Sequence, residues 1–169
     1  SHQRLVAANV VSRHRDNMIG THHAIDVKDL FLSLNKTVNI QSSDITTPSQ
    51  LMHSVRFNIK VKKKINFNDL NSLIKRNSFI STSSKFDSNV IFELGRKYSP
   101  YGRLYSHSII LDNNLLLDED RNRIKGWAFI PQEGNTILST INAYLLQLNI
   151  ENSNDIMNKL KDVLIRDKW

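Results

Sequence analysis

"LMHSVRFNIKVK" (residues 51–62) decides how this chain folds. Leu51, His53, Val55, Phe57, Ile59 and Val61 alternate with Met52, Ser54, Arg56, Asn58 and Lys60. A two-residue period sends successive side chains to opposite faces of a sheet, so the stretch reads as a β-strand with one apolar face. His53 lies on that apolar face. The strand runs out into "KVKKK" (60–64), a strand end and turn whose lysines are solvated and able to touch phosphates.

Downstream, "NFNDLNSLIKR" (66–76) puts Phe67, Leu70, Leu73 and Ile74 at helical spacing, and "SFIST" reads as a short strand. "DSNVIFELGRKYS" is a helix capped by Asp87 or Ser88 and ended near Pro100. "RLYSHSIIL" (103–111) and "NNLLL" (113–117) read as strands joined by a tight turn at Asp112–Asn114, followed by a strand "RIKGWAFIP" (123–131). "NTILSTINAYLLQL" (135–148) and "SNDIMNKLKDVLI" (153–165) are closing helices.

Upstream, "RLVAANVVSR" (4–13) and "KTVNIQSSDI" (36–45) read as strands, with Pro48 breaking pairing after the second. "HRDNMIGTHH" is a loop, and a helix is predicted from Ile25 on Ile25, Val27, Leu30, Phe31 and Leu34. Strands that alternate with helices, then run together, then give way to helices predict an α+β fold. We expect a mixed, largely antiparallel sheet with helices packed on one face, in a single unit spanning residues 1–169.

Composition narrows the function. With 169 residues, 40% hydrophobic and 23% charged, the chain has the makeup of a globular domain. No apolar run approaches a membrane span, and no signal-peptide pattern opens the chain, so a cytoplasmic protein is expected. There is no cysteine, which removes disulfides, thiolate metal sites and a cysteine nucleophile from these residues. A net charge of +7 permits attraction to nucleic acid or another acidic partner. The five glycines are scattered, and neither a dinucleotide-binding turn nor a Walker loop is present.

The candidate chemistry lies with six histidines: His2, His14, His22, His23, His53 and His107. A zinc site calls for more separated pairs with a carboxylate or thiolate, so no metal is assigned. A His22–His23 loop running into a helix N-terminus suits an anion better, with Arg13, His14 and Arg15 close in sequence. "FISTSSKFD" (79–87) carries a Ser-Thr-Ser triplet that resembles the ADP-ribosyltransferase signature. That signature also needs a strand arginine upstream and a Glu-x-Glu-type element downstream. "DED" (118–120) is the nearest match, and a strand-to-helix turn capped by hydroxyls is the favoured reading.

Taken in order, "VSRHRD", "THHAIDVKDL", "TTPSQLMHSVRFNIKVKKKINFNDLNSLI", "ISTSSKFD", "ELGRKYS", "SHSIILDNN" and "ILSTINAYL" resemble the catalytic (C-terminal) domain of archaeal-type glyceraldehyde-3-phosphate dehydrogenase. The resemblance implies the same large mixed sheet. It implies that Arg13 matches a strand-end arginine near the cofactor, that His22 and His23 match a pair at the substrate phosphate, and that His53 matches a histidine of the catalytic region. In the family that histidine assists a cysteine that attacks the aldehyde, with hydride passing to NAD(P). The cysteine and the cofactor domain have no counterpart in these residues. The expectation is therefore a pseudoenzyme: the dehydrogenase fold reused as a binding or assembly module, without a cofactor, for a protein subunit, a second copy or a nucleic acid. The alternative is a fragment of an NAD(P)-dependent phosphorylating dehydrogenase.

Overall fold

A computed structural model describes residues 9–48 and 51–164, which belong to two compact units, residues 1–50 and 51–169. The part of the first predicted strand before residue 9, and the last residue of the predicted closing helix, lie outside the described residues.

In the first unit, β1 (Val10–Val11) pairs antiparallel with β2 (Ile45–Thr46). Between them stands α1 (His22–Ser33). The helix begins three residues before the predicted start, so the two histidines form its first turn and not a loop ahead of it. The cause is non-local. Gly20 holds φ +101, and a Cβ there would strike the Ser42 carbonyl oxygen. This close approach lets the Thr21 amide donate to that carbonyl at 3.1 Å. The Ser42 hydroxyl then accepts from the Ala24 amide at 3.1 Å and bonds the Thr21 hydroxyl at 2.7 Å. A residue 18 positions away thus does the work of an N-cap. The predicted strand over 36–45 shrinks to the two residues of β2 and an isolated bridge at Ser42.

The second unit is a five-stranded sheet. Its elements are β3 (Met52–Lys60), α2 (Phe67–Arg76), β4 (Ile80–Ser83), α3 (Ser88–Tyr98), β5 (Ser108–Leu111), β6 (Leu116–Leu117), β7 (Arg123–Pro131), α4 (Ile137–Gln147) and α5 (Ser153–Lys159). The strand order is β3-β7-β5-β4, with β6 also on β7, and β4–β5 is the parallel pair. The fold is α+β with a mixed, largely antiparallel sheet, as the sequence implies. Local signals hold well here: the Asn66 side chain caps α2 through the Asp69 amide at 2.9 Å, and Asp87 caps α3 through Asn89 at 2.7 Å.

Two expectations change. The strands before and after Asp112–Asn114 do not pair with each other. Both lie along β7, Ile109 and Ile110 against Phe129 and Ala128, and Leu116 and Leu117 against Lys125 and Ile124. Residues 104–106 precede the ladder with their side chains buried, and Ser106 bonds Ser81 at 2.7 Å. The helices also cover both faces of the sheet and not one. Ile91 of α3 packs with Met52, Ile109, Leu111 and Phe129, while Leu70 and Ile74 of α2 pack with Phe57, Ile110, Leu117 and Ile124 on the opposite face. Alternation makes this inevitable: Ile109 and Ile110 are neighbours on one strand, both apolar, and each needs cover. α4 and α5 close a third cluster around Tyr105, Leu138 and Met157.

Candidate functional site

The β3–β7 ladder is in continuous register over nine residue pairs, from Met52↔Pro131 to Lys60↔Arg123. Directly opposed residues share a face, so Met52, Ser54, Arg56, Asn58 and Lys60 lie beside Pro131, Phe129, Trp127, Lys125 and Arg123. Leu116, opposite Lys125, joins them from β6. This face has two halves. Met52 and Phe129 are buried with Ile91 of α3. Past Ser54, beyond that buried cluster, the face turns polar: Arg56, Asn58 and Lys60 are exposed, Arg123 and Lys125 half-exposed, Leu116 exposed, and Trp127 keeps 42% of its surface. Same-face residues along a strand are about 6.8 Å apart, so the cations form a grid on the scale of a nucleotide.

The underside explains the strand's fit. Gly126, opposite Phe57, leaves room that a Cβ would take from Phe57 at 2.7 Å and Leu115 at 3.0 Å. The aromatic ring therefore packs over β7, and the ladder lies on a filled core below the open cationic half.

None of Arg56, Lys60, Arg123 and Lys125 has an ion-pair partner among the described residues. The "KKK" at 62–64 continues the charge past the end of β3 and is exposed. Residues 51–169 carry 18 Lys and Arg against 12 Asp and Glu, so six of the seven net positive charges lie in this part of the chain.

His53 is exposed. Its parity is that of Val55 and Phe57, as the alternation implies, but it stands at the start of the strand and is not among the residues packed under α2. Its Nε2 accepts from the Gln132 side-chain amide at 2.8 Å, which fixes the other ring nitrogen as the protonated one. Gln132 directly follows Pro131, the last residue of β7, which pairs with Met52 beside His53.

In the first unit, Arg13 is exposed and makes no side-chain hydrogen bond or ion pair among the described residues. The partner brought to the histidine pair is Asp44. Its Oδ2 lies 3.6 Å from His23 Nε2, and the His22 and His23 ring centroids are 3.9 Å apart with their planes tilted by 39°. A carboxylate beside the pair repels a phosphate and attracts a cation, against the pull of the α1 N-terminus. No sequence signal pointed to Asp44, 21 residues from His23. His14 is bonded to Ser43 at 3.0 Å. Asp16 takes the Met18 and Ile19 amides at 2.7 and 2.8 Å, and these bonds hold its carboxyl below the usual range.

The two serine hydroxyls of the Ser-Thr-Ser triplet are engaged in the fold. Ser81 and Ser83 are buried; Ser81 bonds Ser106, and Ser83 accepts from the Lys85 amide at 3.1 Å. "DED" supplies a turn, in which Asp118 accepts from the Asn122 and Arg123 amides at 2.9 and 3.0 Å. An apolar recess of about 450 Å³ is lined by Tyr101, Tyr105, Ile137, Ile141 and Leu160; its one charged side chain, Arg103, is paired with Glu133 at 3.7 Å. Among the described residues no helix is long and apolar enough to cross a membrane. Compared with known proteins, the chain matches no family model and no curated protein.

Proposed function

We propose that this chain is a non-catalytic cytoplasmic binding module that takes single-stranded nucleic acid on the open half of the β3–β7 face, on a fold derived from the dehydrogenase catalytic domain it resembles. The observation that carries this reading is the cross-strand pairing of Arg56 with Trp127, Asn58 with Lys125 and Lys60 with Arg123, with no acidic residue among the six. Unpaired cations attract phosphates, and an exposed indole gives a base a surface to stack on. Lysine is depleted in protein–protein interfaces, and Lys60 and Lys125 are two of the six, which favours a phosphate-bearing partner over a protein surface.

Anisotropy of a fluorescein-labelled 20-nucleotide RNA, titrated with the chain at several salt concentrations, tests this. With four phosphates neutralised, log K falls against log salt with a slope of about −3. A flat salt response, or no binding at low salt, sinks the reading.

A second reading keeps the older chemistry: a fragment of an NAD(P)-dependent phosphorylating glyceraldehyde-3-phosphate dehydrogenase, with its cysteine and cofactor domain elsewhere. The His53–Gln132 hydrogen bond favours it, since it holds the imidazole in one tautomer. Reduction of NAD(P) with glyceraldehyde 3-phosphate and inorganic phosphate by this chain combined with the polypeptide that carries the cysteine and the cofactor domain, lost in His53→Asn, would establish that reading over the first.

A further inference from the structure

We propose that His22, His23 and Asp44 bind a divalent transition-metal ion of the zinc class. Three observations bear on it. The ligating atoms of the three side chains all lie within 4.8 Å of one another. Tetrahedral zinc bonds of about 2.0–2.1 Å put neighbouring ligand atoms roughly 3.3 Å apart, so small side-chain rotations close the set. The second Asp44 oxygen, Oδ1, is buried and has no hydrogen-bond partner among the described residues, although a carboxylate oxygen out of water needs one. The site is also held from two directions. Ser12 donates to the Asp44 carbonyl at 3.1 Å, and Ser42 ties the same segment to the first turn of α1.

The donor set selects the ion. Two imidazoles and one carboxylate, without thiolate, suit Zn²⁺, Co²⁺ or Ni²⁺ over the hard cations Mg²⁺ and Ca²⁺, which want oxygen ligands. The positive end of α1 opposes a cation here, and the Asp44 charge offsets it. His23 is exposed, so the remaining coordination position is open to water. This site is independent of the nucleic-acid reading, whose residues lie in the other unit.

Titrating the full chain with Co²⁺ and following its visible absorption is the test. One equivalent is taken up, Zn²⁺ displaces it, and an equal concentration of Mg²⁺ does not. His22→Gln, His23→Gln and Asp44→Asn each weaken uptake tenfold or more while circular dichroism stays unchanged. In the unaltered chain, bound Co²⁺ broadens the His22 and His23 NMR signals first, a readout that needs no variant to fold. Absence of one-to-one uptake, uptake indifferent to the three substitutions, or broadening centred on other residues overturns the proposal.

Discussion

Arg56 on β3 stands directly opposite Trp127 on β7, on the face of the sheet whose other half is buried against α3. The two residues thus share the exposed part of one face, although 70 residues lie between them in the chain. Phosphate attraction and base stacking are different physical terms, and single substitutions separate them.

Arg56→Ala and Lys125→Ala each weaken RNA binding and lower the steepness of the salt dependence by about 0.7, the loss of one phosphate contact. Trp127→Ala weakens binding by ~1–3 kcal/mol with the salt slope unchanged, because stacking releases no counterions. Anisotropy at four salt concentrations checks both.

Ser42→Ala removes the hydroxyl that serves the Ala24 amide and the Thr21 hydroxyl. The first turn of α1 loses its cap, at a cost of ~1 kcal/mol in urea unfolding. Hydrogen exchange at residues 22–24 speeds up more than at the helix centre. Equal acceleration along the whole helix would contradict this role.

Gly126→Ala forces a methyl toward Phe57 and Leu115. Overpacking there destabilises the sheet by ~1–3 kcal/mol, read from chemical denaturation. Ile109→Ala, emptying a fully buried position on the opposite face, costs ~2–5 kcal/mol.

Burial holds the His107 imidazole below the usual histidine range, and its Nε2 has no hydrogen-bond partner among the described residues. The unfolded chain takes up this proton near pH 6.5, the folded chain only at lower pH. The stability that the neutral ring contributes is therefore complete above about pH 6.5 and is lost as pH falls from there to the folded pKa. His107→Gln flattens that part of the thermal-stability profile between pH 7.5 and 5, and NMR titration of the ring gives a midpoint below 6.5.

Much of the second unit is legible in the sequence because its signals are local. The alternation at 51–62 marks β3, Asn66 and Asp87 cap the helices they precede, and Pro100 follows the end of α3. The open face of β3 and β7 is half legible: Arg56, Asn58 and Lys60 share a parity in the sequence, as do Arg123, Lys125 and Trp127. Nothing in either run says that the two lie together. That takes the register of an antiparallel ladder between segments with 62 residues between them. His53 illustrates the limit from the other side, since parity assigns it to a face, while its exposure depends on where α2 stops covering that face.

The sequence by itself determined the class of the fold, the long strands, the caps and the excess of positive charge, because periodicity, capping and composition act between near neighbours or on the whole chain. Only the tertiary structure decided where α1 begins, which sheet face stays open, and that Asp44 meets His22 and His23. Each of those depends on contacts between distant residues, such as the Ser42 hydroxyl at the head of α1, and alternation or spacing along the chain carries no record of them.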